Sequence, residues 1–269
     1  MAKVYLVQMD ILWCNKTANF ETVRRLLQSK PIEKGGLIVL PEMFATGFVG
    51  RPKEGIEESF EHAESGITAS FLSKLSQETG CLVQGSGIRK QNGQFRNHVS
   101  VYGPDSQTEI TSYDKIYPFH TEQKHFEAGE AIKTYKFDLF NVAPFICYDL
   151  RFPEVFRAAM NYNIELFTVV ASWPTSRESQ WATLLKARAI ENQCYVLGVN
   201  RIGEDPYTEY NGGSIIVGPT GDIIDSLGSE EGILSAEIDY AILREKRQNF
   251  PVLKDAKPFF SFPIKKGVI

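Results

Sequence analysis

Apolar positions along this chain fall into short unbroken runs separated by stretches with helical spacing, and the two kinds alternate. Residues 4–9 form a first apolar run, interrupted by Gln8 and followed by Asp10, and predict an N-terminal strand. From about Thr17, Phe20, Val23, Leu26 and Leu27 recur at the interval of one helix face. Residues 36–40 are an uninterrupted Gly-Leu-Ile-Val-Leu run closed by Pro41-Glu42, the pattern of a central strand buried on both faces. Phe71, Leu72 and Leu75 predict a second helix, stopped by Gly80. Residues 82–87 and 94–102 flank Asn92-Gly93, a strong signal for a tight hairpin turn.

The second half repeats the alternation. Residues 142–146 end a strand, 155–160 predict a helix, and 166–171 predict a buried strand. A longer helix is expected from about Ser179 to Asn192, with Trp181, Leu184, Leu185 and Ala189 on one side. Strands follow at 195–200, 214–217, 223–227 and 233–238, with Thr220-Gly221 turning between two of them. The sum is an α/β fold. No linker, repeat or low-complexity tract divides it, so one domain over 1–269 is expected. Pro251, Phe259, Phe260 and Pro263 give the segment from about Asn249 the look of an extended arm rather than a helix.

Composition narrows the partners. The chain is 43% hydrophobic and 23% charged over 269 residues, with a formal charge of -4 and a pI near 5.7. That balance gives no reason to expect nucleic acid or an anionic membrane. No apolar run approaches the length of a membrane span, and the first one is followed by no small-residue cleavage site. Cys14, Cys81, Cys147 and Cys194 lie far apart, as free thiols in a reducing compartment do, so a cytoplasmic place is expected. The four histidines, His62, His98, His120 and His125, lack metal-ligand spacing and no cysteine pair joins them, so no metal is expected. Gly85-Ser86-Gly87 lacks the third glycine of a dinucleotide fingerprint and leads into a hairpin.

Three polar residues stand where strands end, the place where open α/β sheets hold their ligands. Glu42 follows the 36–40 run, Cys147 follows Phe145-Ile146, and Lys115 leaves a β-like stretch in Tyr113-Asp114-Lys115-Ile116. Singly, each has an ordinary structural reading: a solvated carboxylate, a small buried thiol, a surface amine. Together they supply what a nucleophilic thiol needs, since a base takes its proton and a cation stabilises negative charge. An ammonium also serves an oxyanion.

The segments Leu40-Pro41-Glu42-Met43-Phe44, Tyr113-Asp114-Lys115-Ile116 and Ile146-Cys147-Tyr148-Asp149-Leu150-Arg151-Phe152-Pro153-Glu154 closely resemble the nitrilase superfamily of carbon–nitrogen hydrolases, in order and spacing. The resemblance spans essentially the whole chain. Ala171-Ser172-Trp173-Pro174 and the 243–251 tail look most like its omega-amidase branch. It implies a four-layer α-β-β-α sandwich, a homodimer, no cofactor, and a small-molecule amide as substrate. It implies that Cys147 is the nucleophile, Glu42 the general acid–base, and Lys115 with the backbone N–H of Tyr148 the oxyanion holders. A second glutamate orients the lysine; Glu122 matches its position, with Glu127 as the competitor.

The same resemblance implies that Arg151 faces the far carboxylate of the substrate, a role for which a guanidinium fork is suited. The plain alternative is an ion pair with Asp149 or Glu154. Trp173 is then a pocket wall, the alternative being ordinary core. The expected reaction is hydrolysis of the terminal amide of a 2-oxo dicarboxylate monoamide, 2-oxoglutaramate or 2-oxosuccinamate, through a thioester. A nitrilase or an N-carbamoyl amidohydrolase would use the same three residues. A Cys–His protease with His120 or His125 as base has no local signature here, and a non-catalytic binding module has no chemical need for all three residues.

Overall fold

The computed structural model describes residues 1–257. The first apolar run is β1 (Ala2–Gln8), and both of its faces are buried. Helix α1 (Lys16–Gln28) starts at Asn15, whose side chain accepts the N–H of Ala18 and satisfies one of the free donors of the first turn. The 36–40 run becomes β2 (Leu37–Val39), and α2 (Ile67–Thr79) ends on Gly80 at a φ of +67°, where a Cβ would be strained. Strands β3 (Leu82–Gln91) and β4 (Gln94–Tyr102) form the expected hairpin; Asn92 and Gly93 both take the positive φ that its turn demands. β5 (Thr111–Asp114) lies beside β4.

The rest of the chain gives β6 (Tyr135–Phe137), β7 (Phe140–Ile146), α3 (Pro153–Ala159), β8 (Leu166–Ala171) and α4 (Glu178–Asn192). Then come β9 (Tyr195–Asn200), β10 (Ile202–Asp205), β11 (Thr208–Asn211), β12 (Ile215–Val217), β13 (Ile223–Ser226), β14 (Gly232–Ile238), α5 (Tyr240–Asn249) and α6 (Val252–Asp255). The arm expected from about 249 is corrected in part. Residues 252–255 form a helical turn directly after Pro251, whose missing N–H and fixed φ suit a helix start. The remainder of that arm, from 258, lies outside the described residues.

Two six-stranded sheets result, ordered β14-β1-β2-β3-β4-β5 and β13-β12-β9-β8-β7-β6. Each has a parallel centre, β1-β2-β3 in one and β7-β8-β9 in the other, with antiparallel strands outside. Val4, Leu6, Leu37 and Val39 turn inward toward Val142, Val170 and Val199 of the opposite sheet in one continuous core, while Phe145 on the outer face of the second sheet packs on Phe156 of α3. The opposite faces of β1 and β2, through Tyr5, Val7 and Ile38, pack on Val23, Leu27, Leu72 and Leu75 of α1 and α2. Helices α3 and α4 cover the outside of the second sheet, and the order of layers is α-β-β-α. Helix and sheet meet closely there: a Cβ on Gly198 of β9 would stand 2.3 Å from Leu185 Cδ1 of α4.

Candidate active site

Parallel strands deliver their C-terminal ends to one crevice, and the three strand-end residues meet in it. Cys147 follows β7 at a φ of +45°, a left-handed conformation that costs a non-glycine residue energy and marks a sharp turn. The buried carboxylate of Asp149 holds that turn. It accepts the N–H of Ile146 (3.0 Å), the hydroxyl of Tyr113 (2.7 Å) and the N–H of Tyr117 (2.9 Å). The last two flank Lys115, so one carboxylate fixes the thiol's turn to the segment that carries the amine. Burial pushes Asp149 up to about 6, against the pull of those donors.

Beneath the thiol lies a closed polar network. Lys115 Nζ donates to Glu42 Oε1 (2.9 Å) and to Glu122 Oε2 (2.7 Å). Glu42 Oε2 accepts the N–H of Ser172 (2.8 Å), and Glu122 Oε2 accepts that of Phe119 (2.7 Å). Asn97 Nδ2 donates to Oε1 of both glutamates, at 2.8 Å each. All four side chains are buried. Glu127 is elsewhere: its side chain is 46% exposed and pairs with Arg96 at 3.0 Å. Of the two glutamates that compete in the sequence, Glu122 is the one beside Lys115.

The electrostatics follow from this packing. Burial pushes the Cys147 thiol well above its ordinary value and the Glu42 carboxylate adds to this, while Lys115 pulls it back. Burial opposes the charge of Lys115, but Glu122 and Glu42 outweigh it and hold the amine above the usual lysine value. Burial also raises Glu122, with Lys115 countering. Burial and Glu42 thus favour the neutral thiol, while Lys115 beside it is held in its charged form.

Above the thiol opens a narrow pocket of about 60 Å³ lined by Cys147, Tyr148, Arg151, Trp173, Arg177 and Phe119, among others. Arg151 lies over the Trp173 ring at 4.7 Å and donates to Gln180 Oε1 at 2.7 Å. Among the described residues it forms no ion pair: Asp149 is committed to Tyr113, Ile146 and Tyr117, and Glu154 is exposed. Arg177 lies over Phe119 at 5.4 Å. Among the described residues no acidic side chain lines the pocket. Trp173 fills both of its suggested parts, since it lines the pocket while its ring packs on Trp181 at 5.4 Å. His120 and His125 do not line it. Among the described residues no His, Cys, Asp and Glu cluster could hold a metal ion, and no helix is long and apolar enough to cross a membrane.

Sequence reasoning missed Asn97, Arg177 and the Ser172 N–H. Only Asn97 left a signal, as part of the polar run Arg96-Asn97-His98 inside a strand whose neighbours are apolar.

The chain is 33% identical over 262 residues to the omega-amidase YafV of Escherichia coli K12, covering 96% of this chain and 97% of that one. It is 31% identical to the 2-oxoglutaramate amidase of Bacillus subtilis, covering 93% and 96%. A superfamily member from Xanthomonas campestris, solved with an arsenic adduct in its active site, superposes with a TM-score of 0.86 at 29% identity, over 96% and 98% of the two chains. The carbon–nitrogen hydrolase profile matches residues 3–248, and the chain belongs to that family, within the nitrilase superfamily.

Proposed function

We propose that this enzyme is an omega-amidase that hydrolyses the terminal amide of a small 2-oxo dicarboxylate monoamide, 2-oxoglutaramate or 2-oxosuccinamate, to the acid and ammonia. The observation that carries this reading is the Glu42–Lys115–Glu122 network under Cys147, beneath a pocket whose charged wall residues are both arginines. A cavity of about 60 Å³ accepts roughly four to six waters, which suits a short linear molecule. Two guanidiniums with no carboxylate partner among the described residues suit an anionic substrate. The names of the relatives above point the same way.

Glu42 takes the proton of Cys147 as the sulfur attacks the amide carbon, forming the C–S bond and moving the carbonyl electron pair onto oxygen. Lys115 and the N–H of Tyr148 hold that oxyanion while Glu122 keeps Lys115 in place. On collapse the C–N bond breaks, and Glu42 returns its proton to the departing nitrogen, giving ammonia and a thioester. Glu42 then takes a proton from water; the hydroxide adds to the thioester, the C–S bond breaks, and Glu42 gives that proton to the departing sulfur, releasing the acid and restoring the thiol. Arg151 binds the far carboxylate, with Trp173 as the wall behind it. The reading takes the chain to be one domain that works in the cytoplasm as a homodimer, on the strength of the family membership.

The test is ammonia release from 2-oxoglutaramate, with glutamine and a simple nitrile as controls. Wild type should release it, and Cys147→Ala should lose at least about a thousandfold in kcat. Arg151→Ala should raise KM for the oxo-amide more than for a neutral amide. Ammonia release undiminished in Cys147→Ala would sink the mechanism. Activity confined to the nitrile would keep the cysteine and discard the substrate.

A further inference from the structure

We propose that Asn97 is a positioning residue of this site: its amide spans Glu42 and Glu122, holds the two carboxylates apart with a hydrogen bond to each, and so preserves Glu42 as a base. The inference rests on the reading of Glu42 and Cys147 given above.

Asn97 is tied to the site twice. Its carbonyl oxygen accepts the backbone N–H of Lys115 at 2.9 Å, which seats the amine. Its Nδ2 carries two hydrogens and two carboxylate oxygens stand 2.8 Å from it. This orientation is fixed by chemistry, because rotating the amide would set Oδ1 against two oxygens that only accept when ionised. The arrangement leaves Oδ1 buried with no hydrogen-bond partner among the described residues. An orphaned buried acceptor is a cost to the fold with no structural return, so the side chain is shaped to what its NH2 group does.

Two buried carboxylates that share one ammonium tend to trap a proton between them, which raises one of the pair strongly. A proton held there competes with the proton of Cys147 for Glu42. Asn97 gives each carboxylate a hydrogen bond and adds no charge, bringing the donors on Glu42 to three: Lys115, Ser172 N–H and Asn97. Glu122 likewise has three: Lys115, Phe119 N–H and Asn97. Besides Lys115, the titratable groups that face the pair are Cys147 and, toward Glu42, Tyr210 from β11. Neither donates a hydrogen bond between the two carboxylates.

The experiment is the pH dependence of two reactions in Asn97→Ala, Asn97→Ser and wild type. The first is kcat/KM for the amide; the second is alkylation of Cys147 by iodoacetamide, which needs no amide substrate. Asn97→Ala should lose at least about tenfold in kcat at neutral pH with KM changed far less. The acid limb of both profiles should move up by about one pH unit, so that the deficit shrinks as pH rises. Asn97→Ser keeps one donor and should fall between the two; it also answers the question if Asn97→Ala fails to fold. Far-UV circular dichroism and the urea midpoint establish which variants are folded. A folded variant that loses activity equally at every pH, or none at all, overturns the proposal. If wild type is silent on the amide, the substrate reading fails while the alkylation profile still decides the role of Asn97.

Discussion

A carboxylate buried beside a lysine is useful to catalysis only if its geometry is fixed, and Glu122 and Glu127 separate on that point. Glu122 has three donors and no exposure, whereas Glu127 meets Arg96 at the surface, where such pairs contribute little. Glu122→Gln should therefore lower kcat about a hundredfold, because it sets an NH2 group against donors that a carboxylate satisfies. Glu127→Gln should stay within about threefold of wild type, as an exposed partner of one arginine. Steady-state ammonia release by the two variants checks this, and the reverse ranking would move the second glutamate to Glu127. At this scale Glu42, Lys115 and Cys147 were legible because a strand end followed by a reactive side chain is a one-dimensional signal. Asn97 was not, because a strand buried on both faces hides which of its polar residues turns toward the site.

Among the elements, β5 is only four residues long and yet hands Lys115 to the crevice, so its anchoring matters. Asp114, its last residue, accepts Arg89 Nε at 2.9 Å and stands 2.8 Å from His98 Nδ1. Burial works against its charge, but the His98 and Arg89 hydrogen bonds win and hold Asp114 down at about 2. A carboxylate depressed from its ordinary 3.8 adds stability that is present above that value and is lost as pH falls through 2. The contribution is about 2–3 kcal/mol at neutral pH, with about half gone by pH 3. Asp114→Asn should be less stable than wild type at pH 7 by about that amount, and the gap should narrow at pH 3. Urea unfolding at the two pH values measures it; a gap independent of pH would mean that packing, not charge, is what Asp114 supplies. The long periodic elements were readable in advance. β6 and the β10–β11 hairpin were not, since Tyr-Lys-Phe, Ile-Gly-Glu-Asp and Thr-Glu-Tyr-Asn lack the unbroken apolar run that announced the equally short β2 and β12. α5 buries only Leu243, so it lacks an apolar stripe; its start was marked only by Asp239, whose side chain accepts the N–H of Ala241.

On the scale of the whole molecule, the site draws Glu42 and Lys115 from one sheet and Cys147 and Ser172 from the other, so function depends on how the sheets sit face to face. The order of strands and helices was legible in the sequence. The closing of the first sheet was not, because β1 pairs with β14 across more than two hundred residues and nothing local announces the partner. The seam is not wholly apolar either. Gln84 of β3 reaches across it, and its Oε1 accepts the hydroxyls of Tyr135 (2.9 Å) and Thr168 (2.9 Å) of the second sheet. Its Nε2 is buried and has no partner among the described residues. Gln84→Leu strands two hydroxyls in the interior, at about 1–3 kcal/mol each, and should destabilise the protein by about 2–6 kcal/mol. Replacing all three groups together, Gln84→Leu with Tyr135→Phe and Thr168→Val, removes every donor and acceptor at once and should recover most of that loss. Urea midpoints of the single and triple variants decide it. If the triple variant is no better than Gln84→Leu, the sheets are held in register by these hydrogen bonds themselves, and ammonia release should fall in both variants as the two halves of the site drift apart.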